Sequence, residues 1–344
     1  MSNILIDRHH AGLANSLLSL FSYRLDYNVY FQIGMEWYEK GYWNVYDHID
    51  TAKQYLEIGS VPKDGTPPLN NLIGPNDGNP PFIIEDKHHD KALLGITYEK
   101  FEKMDIAIVI ASIPQHIKPF KQLAAMKGAK FIFQMGNVFP EANLNEIPNL
   151  LANTLPATIP PTCNYIQYHQ EISPVFHPND TPPHHLITSF INIYDHNKGY
   201  EDYMSLKAMM PAFKFYSYGG QCADGTITGV DEMAVIMRNS IFGFHSKYMG
   251  DGFGHVLYDW FATGRPVITR ISDYKGKLGE ELLEDMVTCI DLDKHSYEET
   301  KNIIENMKPL HYLMMCQDVR KRFEICVDYE AEAEKIKEWL THLN

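Results

Sequence analysis

The run over residues 251–268, DGFGHVLYDWFATGRPVI, constrains the fold more than any other part of the chain. It reads as a glycine turn, a helix, a second glycine and a buried strand. Asp251 and Asp259 are eight residues apart, a little over two helical turns, so they share one face of that helix. Gly252 and Gly254 let backbone approach a ligand closely, and the start of the helix offers amide N–H groups to an anion. A diphosphate joined to a sugar has the acceptors and hydroxyls to use such a site.

The surrounding sequence alternates strand and helix patterns. The apolar run NILID at residues 3–7 predicts a first parallel strand, followed by a helix over 13–24 and a strand over 28–33. Strands are expected at 105–111, 130–134 and 164–168, with a helix over 117–127. Residues 60–81, rich in Pro, Gly, Asn and Asp, read as an insertion or mobile loop. The Pro-rich stretch over 172–184 reads as a linker. A second set follows, with strands at 187–194, 213–218, 240–245 and 287–292 and helices at 200–210, 230–239 and 297–307. The segment 329–343 is amphipathic and helical. The expected organisation is an N-terminal Rossmann-like domain over 1–172, a linker over 173–184, a second Rossmann-like domain over 185–328, and a terminal helix over 329–344.

Composition narrows the class. A length of 344 residues suits two domains, and 44% hydrophobic residues suit packed cores. No apolar run approaches the roughly 20 residues that span a bilayer, and the N-terminus lacks a signal-peptide pattern, so a cytoplasmic protein is expected. The 5 cysteines are scattered without a C-x-x-C pair and read as free thiols. A net charge of −14 disfavours a sequence-blind polyanion binder without excluding a local basic groove.

The run 251–268 resembles the E-x7-E segment of retaining glycosyltransferases of the GT-B fold, with Asp at both acid positions and Trp260 where a small residue is usual. The resemblance implies an α/β architecture of two Rossmann-like domains facing a central cleft, with the terminal helix packing back on the first domain. It implies that Asp251 contacts the transferred sugar, that Asp259 binds the ribose hydroxyls, and that backbone around Gly252 and Gly254 faces the sugar or phosphate. The family's cationic clamp corresponds here to Lys198-Gly199, with Ile193 at the usual Arg position and Lys247 as a substitute. Gly12, flanked by His9 and His10, fits the family's N-terminal glycine loop.

Other residues carry chemistry by position. His116 follows the strand ending at Ala111, where a side chain could bond a sugar hydroxyl, move a proton or cap the next helix. Gln134 sits where such enzymes often place a sugar contact. Asp291 and Asp293 look like a D-x-D metal motif, but they lie between a strand and a helix and read as turn and capping residues. His88-His89 and His184-His185 read as solvated loop residues. The segment IGMEWY at 33–38 reads as an acceptor platform or an interdomain packing patch. The expected activity is metal-independent, retaining transfer from a nucleotide-sugar donor to a small-molecule or saccharide acceptor, with no cofactor. Three alternatives stay open: transfer to a hydroxymethylated DNA base, since phage glycosyltransferase-like proteins are loosely similar; non-catalytic sugar-nucleotide binding; and nucleotide-sugar epimerisation.

Overall fold

The computed structural model describes residues 2–7, 11–32, 36–37, 40–42, 93–136, 143–153, 160–179, 184–191, 199–227, 229–247 and 252–343. The predicted insertion at 60–81 lies outside them. The chain divides into two compact units, one made of Met1–Glu171 and Tyr329–Asn344, the other of Ile172–Asp328. Among the described residues no helix is long and apolar enough to cross a membrane.

Unit one is built on strands β1 (Asn3–Ile6), β2 (Asn28–Gln32), β3 (Leu93–Ile96), β4 (Ile108–Ala111), β5 (Lys130–Met135), β6 (Asn149–Ala152) and β7 (Asn164–Gln167). They pair in the order β3-β2-β1-β4-β5-β6-β7, and every pairing is parallel. Such strands are covered on both faces and so read as unbroken apolar runs, as in Ile4-Leu5-Ile6. Alternate residues feed separate cores. Ile4, Ile6, Val29, Phe31, Ile108 and Ile110 pack with Leu17 and Phe21 on one face, and with Ile336 and Trp339 of the C-terminal helix Tyr329–Leu340. Leu5, Val109, Ala111, Phe131 and Phe133 face Phe120 and Leu123 of the helix Pro114–Lys127 on the other.

The helix expected over 13–24 begins as α1 (Ala11–Leu17) and widens into a π-helical turn, Leu18–Arg24. It is followed by α2 (Tyr98–Lys103) and α3 (Pro114–Lys127). The strands β3 and β6 and helix α2 are additions to the predicted set; each is 4 to 6 residues long, too short for a period to stand out. Trp37 is fully buried, donates from Nε1 to the Ile96 carbonyl at 2.9 Å and packs edge-on to Tyr98. Trp37 thus packs inside unit one, while residues 33–35 and 38 of that segment lie outside the described residues.

Unit two carries β8 (His184–Ser189), α4 (Gly199–Met209), β9 (Lys214–Ser217), α5 (Gly229–Asn239), β10 (Ser240–Phe244), α6 (His255–Ala262), β11 (Val267–Thr269), β12 (Cys289–Asp291), α7 (Tyr297–Glu305) and α8 (Pro309–Cys326). Its sheet order is β12-β11-β10-β8-β9, again all parallel. Helix α7 starts with a reciprocal capping box between Ser296 and Glu299. His184 and His185, expected in a polar loop, are the first two residues of β8, although both side chains are exposed.

Candidate functional site

In a doubly wound sheet, ligands collect beyond the carboxyl ends of the strands, where the strand order reverses. In unit one this point lies between β1 and β4. Asp7 leaves the end of β1 and is buried. Its Oδ2 accepts the Ser112 amide at 2.6 Å and faces His116 Nδ1 at 2.8 Å. His116 sits in the first turn of α3, is 2% exposed, and stacks on Phe120 one turn later. A carboxylate only accepts, so the pairing assigns the proton of this imidazole to Nδ1 and leaves Nε2 as the nitrogen that meets other groups. The side chain of His116 therefore pairs with β1 rather than capping its helix. In the sequence Asp7 reads only as a strand residue; the signal for more is an acid that follows a run of buried apolar residues.

Further along the same carboxyl edge, Gln134 Nε2 donates to Asn153 Oδ1, and Asn153 Nδ2 donates to the Tyr168 carbonyl at 3.0 Å. Among the described residues, Asp7 Oδ1 and Ser112 Oγ are buried without a hydrogen-bond partner, and the buried Tyr168 hydroxyl lies with the Gln134 and Asn153 side chains. An unpaired buried polar atom costs about 1–3 kcal/mol, so Asp7 Oδ1 and Ser112 Oγ keep hydrogen-bonding capacity at this edge. Gly12, expected in a loop, is the second residue of α1, in the first turn, whose amides have no intrahelical acceptor. His9 and His10 lie outside the described residues.

In unit two the order reverses between β8 and β10. His245 and Ser246 follow β10 and are buried, and Lys247 is half-buried. Gly252 and Phe253 form the bend before α6, and Gly254 caps the helix with φ 79°. That left-handed conformation suits glycine because any Cβ would crowd the following carbonyl. Asp259 lies on the inner side of α6 and is 2% exposed. Burial pushes its carboxyl well above the usual carboxylate range. Among the described residues its Oδ1 makes no hydrogen bond, and His255 Nε2 lies 3.7 Å away. Asp251, Lys198 and Ile193 lie outside the described residues; of the set expected in unit two, the structure describes Lys247, Gly252, Gly254 and Asp259.

Asp202 was not anticipated. It is buried in α4, takes both Nε and NH2 of Arg270 at 2.8 Å, and accepts from Tyr297 at 2.7 Å and Ser246 at 3.3 Å. This network ties the residues after β10 and β11 to α4 and α7, and no local pattern in the sequence announces it. The Asp202 hydrogen bonds hold the Arg270 guanidinium well above its usual pKa. Asp291 accepts the amides of Ile271 and Asp293, while Asp293 accepts Ser272 N and Arg270. Both acids are occupied by turn donors. Among the described residues no group of three or more His, Cys, Asp or Glu could hold a metal.

Neither a family model nor a curated protein matches the sequence. Solved structures do match. Anabaena Alr3699/HepE in complex with UDP-glucose aligns over 100% of both chains with TM-score 0.61 and 11% identity. Sucrose-phosphate synthase from Thermosynechococcus elongatus covers 99% of both chains with TM-score 0.61 and 12% identity. An alpha-glucosyltransferase in complex with UDP and a 13-mer DNA aligns over 99% of this chain and 100% of its own, with TM-score 0.63 and 9% identity. At these identities the likeness speaks for architecture, and the two parallel sheets with their helices have the GT-B fold of those glycosyltransferases.

Proposed function

We propose that the protein transfers a sugar from a uridine diphosphate donor to an acceptor hydroxyl. The observation that carries this reading is the buried Asp7–His116 pair at the strand-order reversal of a GT-B-fold chain. Support for the donor class comes from full-length likeness to structures holding UDP or UDP-glucose. In the proposed site, Asp259 meets the ribose hydroxyls and backbone at Gly252 and Gly254 meets the diphosphate. Lys247 offsets the charge that builds on the leaving group. Asp251 is assigned to the sugar. Within unit one, His116 Nε2 accepts a hydrogen bond from a substrate hydroxyl, with Asp7 keeping the ring in the required tautomer.

During transfer the bond from C1 to the β-phosphate oxygen breaks, and its electron pair stays on that oxygen. A bond forms from C1 to the acceptor oxygen, whose proton passes to the leaving phosphate. Entry on the face that the phosphate leaves retains configuration, a reading that rests on the acid pair Asp251 and Asp259. The clamp proposed here uses a lysine and backbone amides, so no metal is needed.

Two readouts on the full chain test this. UDP should raise the melting temperature equally with and without EDTA, and His116→Ala should keep that rise. The same variant should slow sugar transfer or donor hydrolysis by roughly 10- to 100-fold, the loss of one hydroxyl contact. No stabilisation by UDP would remove the donor assignment, and stabilisation abolished by EDTA would remove the metal-free clamp. Unchanged turnover in His116→Ala would remove the role of the pair.

A further inference from the structure

The two histidines that open β8 belong to none of this chemistry, yet they line a pocket of about 400 Å³ with Leu186, Ala212, Lys214 and Tyr216. The pocket lies along the amino-terminal parts of β8 and β9. Ligands of doubly wound sheets gather at the opposite, carboxyl ends, so it is separate from the donor site proposed above. Its volume falls within the range of small-molecule sites. We propose that it is a second binding site, for a small phosphomonoester such as a sugar phosphate.

Charge and shape support that class of ligand. The chain carries 44 acidic residues against 30 Lys and Arg, but residues 184–191 and 211–218, which build the pocket strands, contain none of the acids. Lys214 supplies a fixed positive charge, and the two imidazoles supply N–H donors, a set that suits phosphate oxygens. The walls are held in place. The His185 ring stacks on Phe213 with centroids 5.1 Å apart, and the Tyr216 ring stacks on Tyr218 at 6.2 Å. Tyr216, Leu186 and Ala212 give a face on which a sugar ring can lie. A nucleic-acid backbone needs a line of cations tracking successive phosphates. Three nitrogen-bearing side chains around one pocket match a single phosphate instead.

Calorimetric titration of the full chain at low salt, with glucose 6-phosphate, inorganic phosphate and glucose as probes, tests the proposal. Glucose 6-phosphate should bind saturably, more tightly than inorganic phosphate, while glucose should not bind. Lys214→Gln and the pair His184→Gln with His185→Gln should each weaken binding about tenfold, the loss of one charge-assisted contact. These side chains are exposed, so melting temperatures should match wild type. Saturating UDP should leave the affinity unchanged. Absence of saturable binding, affinity untouched by the substitutions, inorganic phosphate binding as tightly as the sugar phosphate, or displacement by UDP would each overturn the proposal. Loss of UDP binding alone leaves this site standing, because its probes do not involve the donor.

Discussion

At the scale of single residues, Gly243 and Trp260 are made for each other. Trp260 is large, and its indole is fully buried against Phe190. Space for it comes from the facing strand, where a Cβ added to Gly243 would overlap the indole ring. Gly243→Ala should therefore cost roughly 1–3 kcal/mol as overpacking. Adding Trp260→Leu should relieve the overlap, so the double variant should be more stable than the sum of the singles by at least about 1 kcal/mol. Urea unfolding of the four proteins checks this, and strict additivity would show that the two residues do not compensate. The pairing was invisible in sequence because it joins a strand to a helix that follows it at a distance. His116 was legible, since it follows a buried strand. Its partner Asp7 was not, because the contact exists only once β1 and β4 lie side by side.

At the scale of elements, the C-terminal helix Tyr329–Leu340 is strapped to unit one by charges at its start. Glu330 pairs with Arg24 at 2.9 Å, Glu332 with His169 at 2.6 Å, and the Tyr329 hydroxyl bonds the Gln170 carbonyl. Arg24 also grips Glu171 with two bonds at 2.8 and 3.2 Å, and lies over the Tyr329 ring. Burial outweighs this partner and pushes the Glu171 carboxyl up to about 7, with Glu330 and Glu332 adding to the rise. The unfolded chain loses this proton near 4.5, so between 4.5 and 7 the folded chain holds more protons. Stability contributed by this group is then lost as pH rises through that window and is level above it. In Glu171→Gln the decline from pH 4.5 to 7 should shrink by roughly 1–3 kcal/mol, read from urea midpoints against wild type. Parallel curves would rule the linkage out. The helix itself was evident from its amphipathic pattern, whereas α8 was not, because its apolar residues include exposed Leu310, Leu313, Met314 and Ile325 and so trace no single face.

At the scale of the whole molecule, the architecture was readable because parallel strands buried on both faces leave apolar runs that only a few folds accept. The acceptor is a question of charge. One similar solved structure holds DNA, but a net charge of −14 opposes a partner that is itself a polyanion. Duplex DNA with hydroxymethylated bases should give no shifted band at low salt and receive no sugar. Binding that weakens steeply with salt, together with transfer to the base, would make DNA the acceptor. Residues 172–328 form a compact unit continuous in the chain, whereas unit one is made of two segments. The face of Ile4, Ile6 and Phe31 is covered in part by Ile336 and Trp339, more than 300 residues further along the chain. The core of unit one therefore joins residues from both sides of the segment 172–328, and closing it requires the chain to return after the whole of unit two.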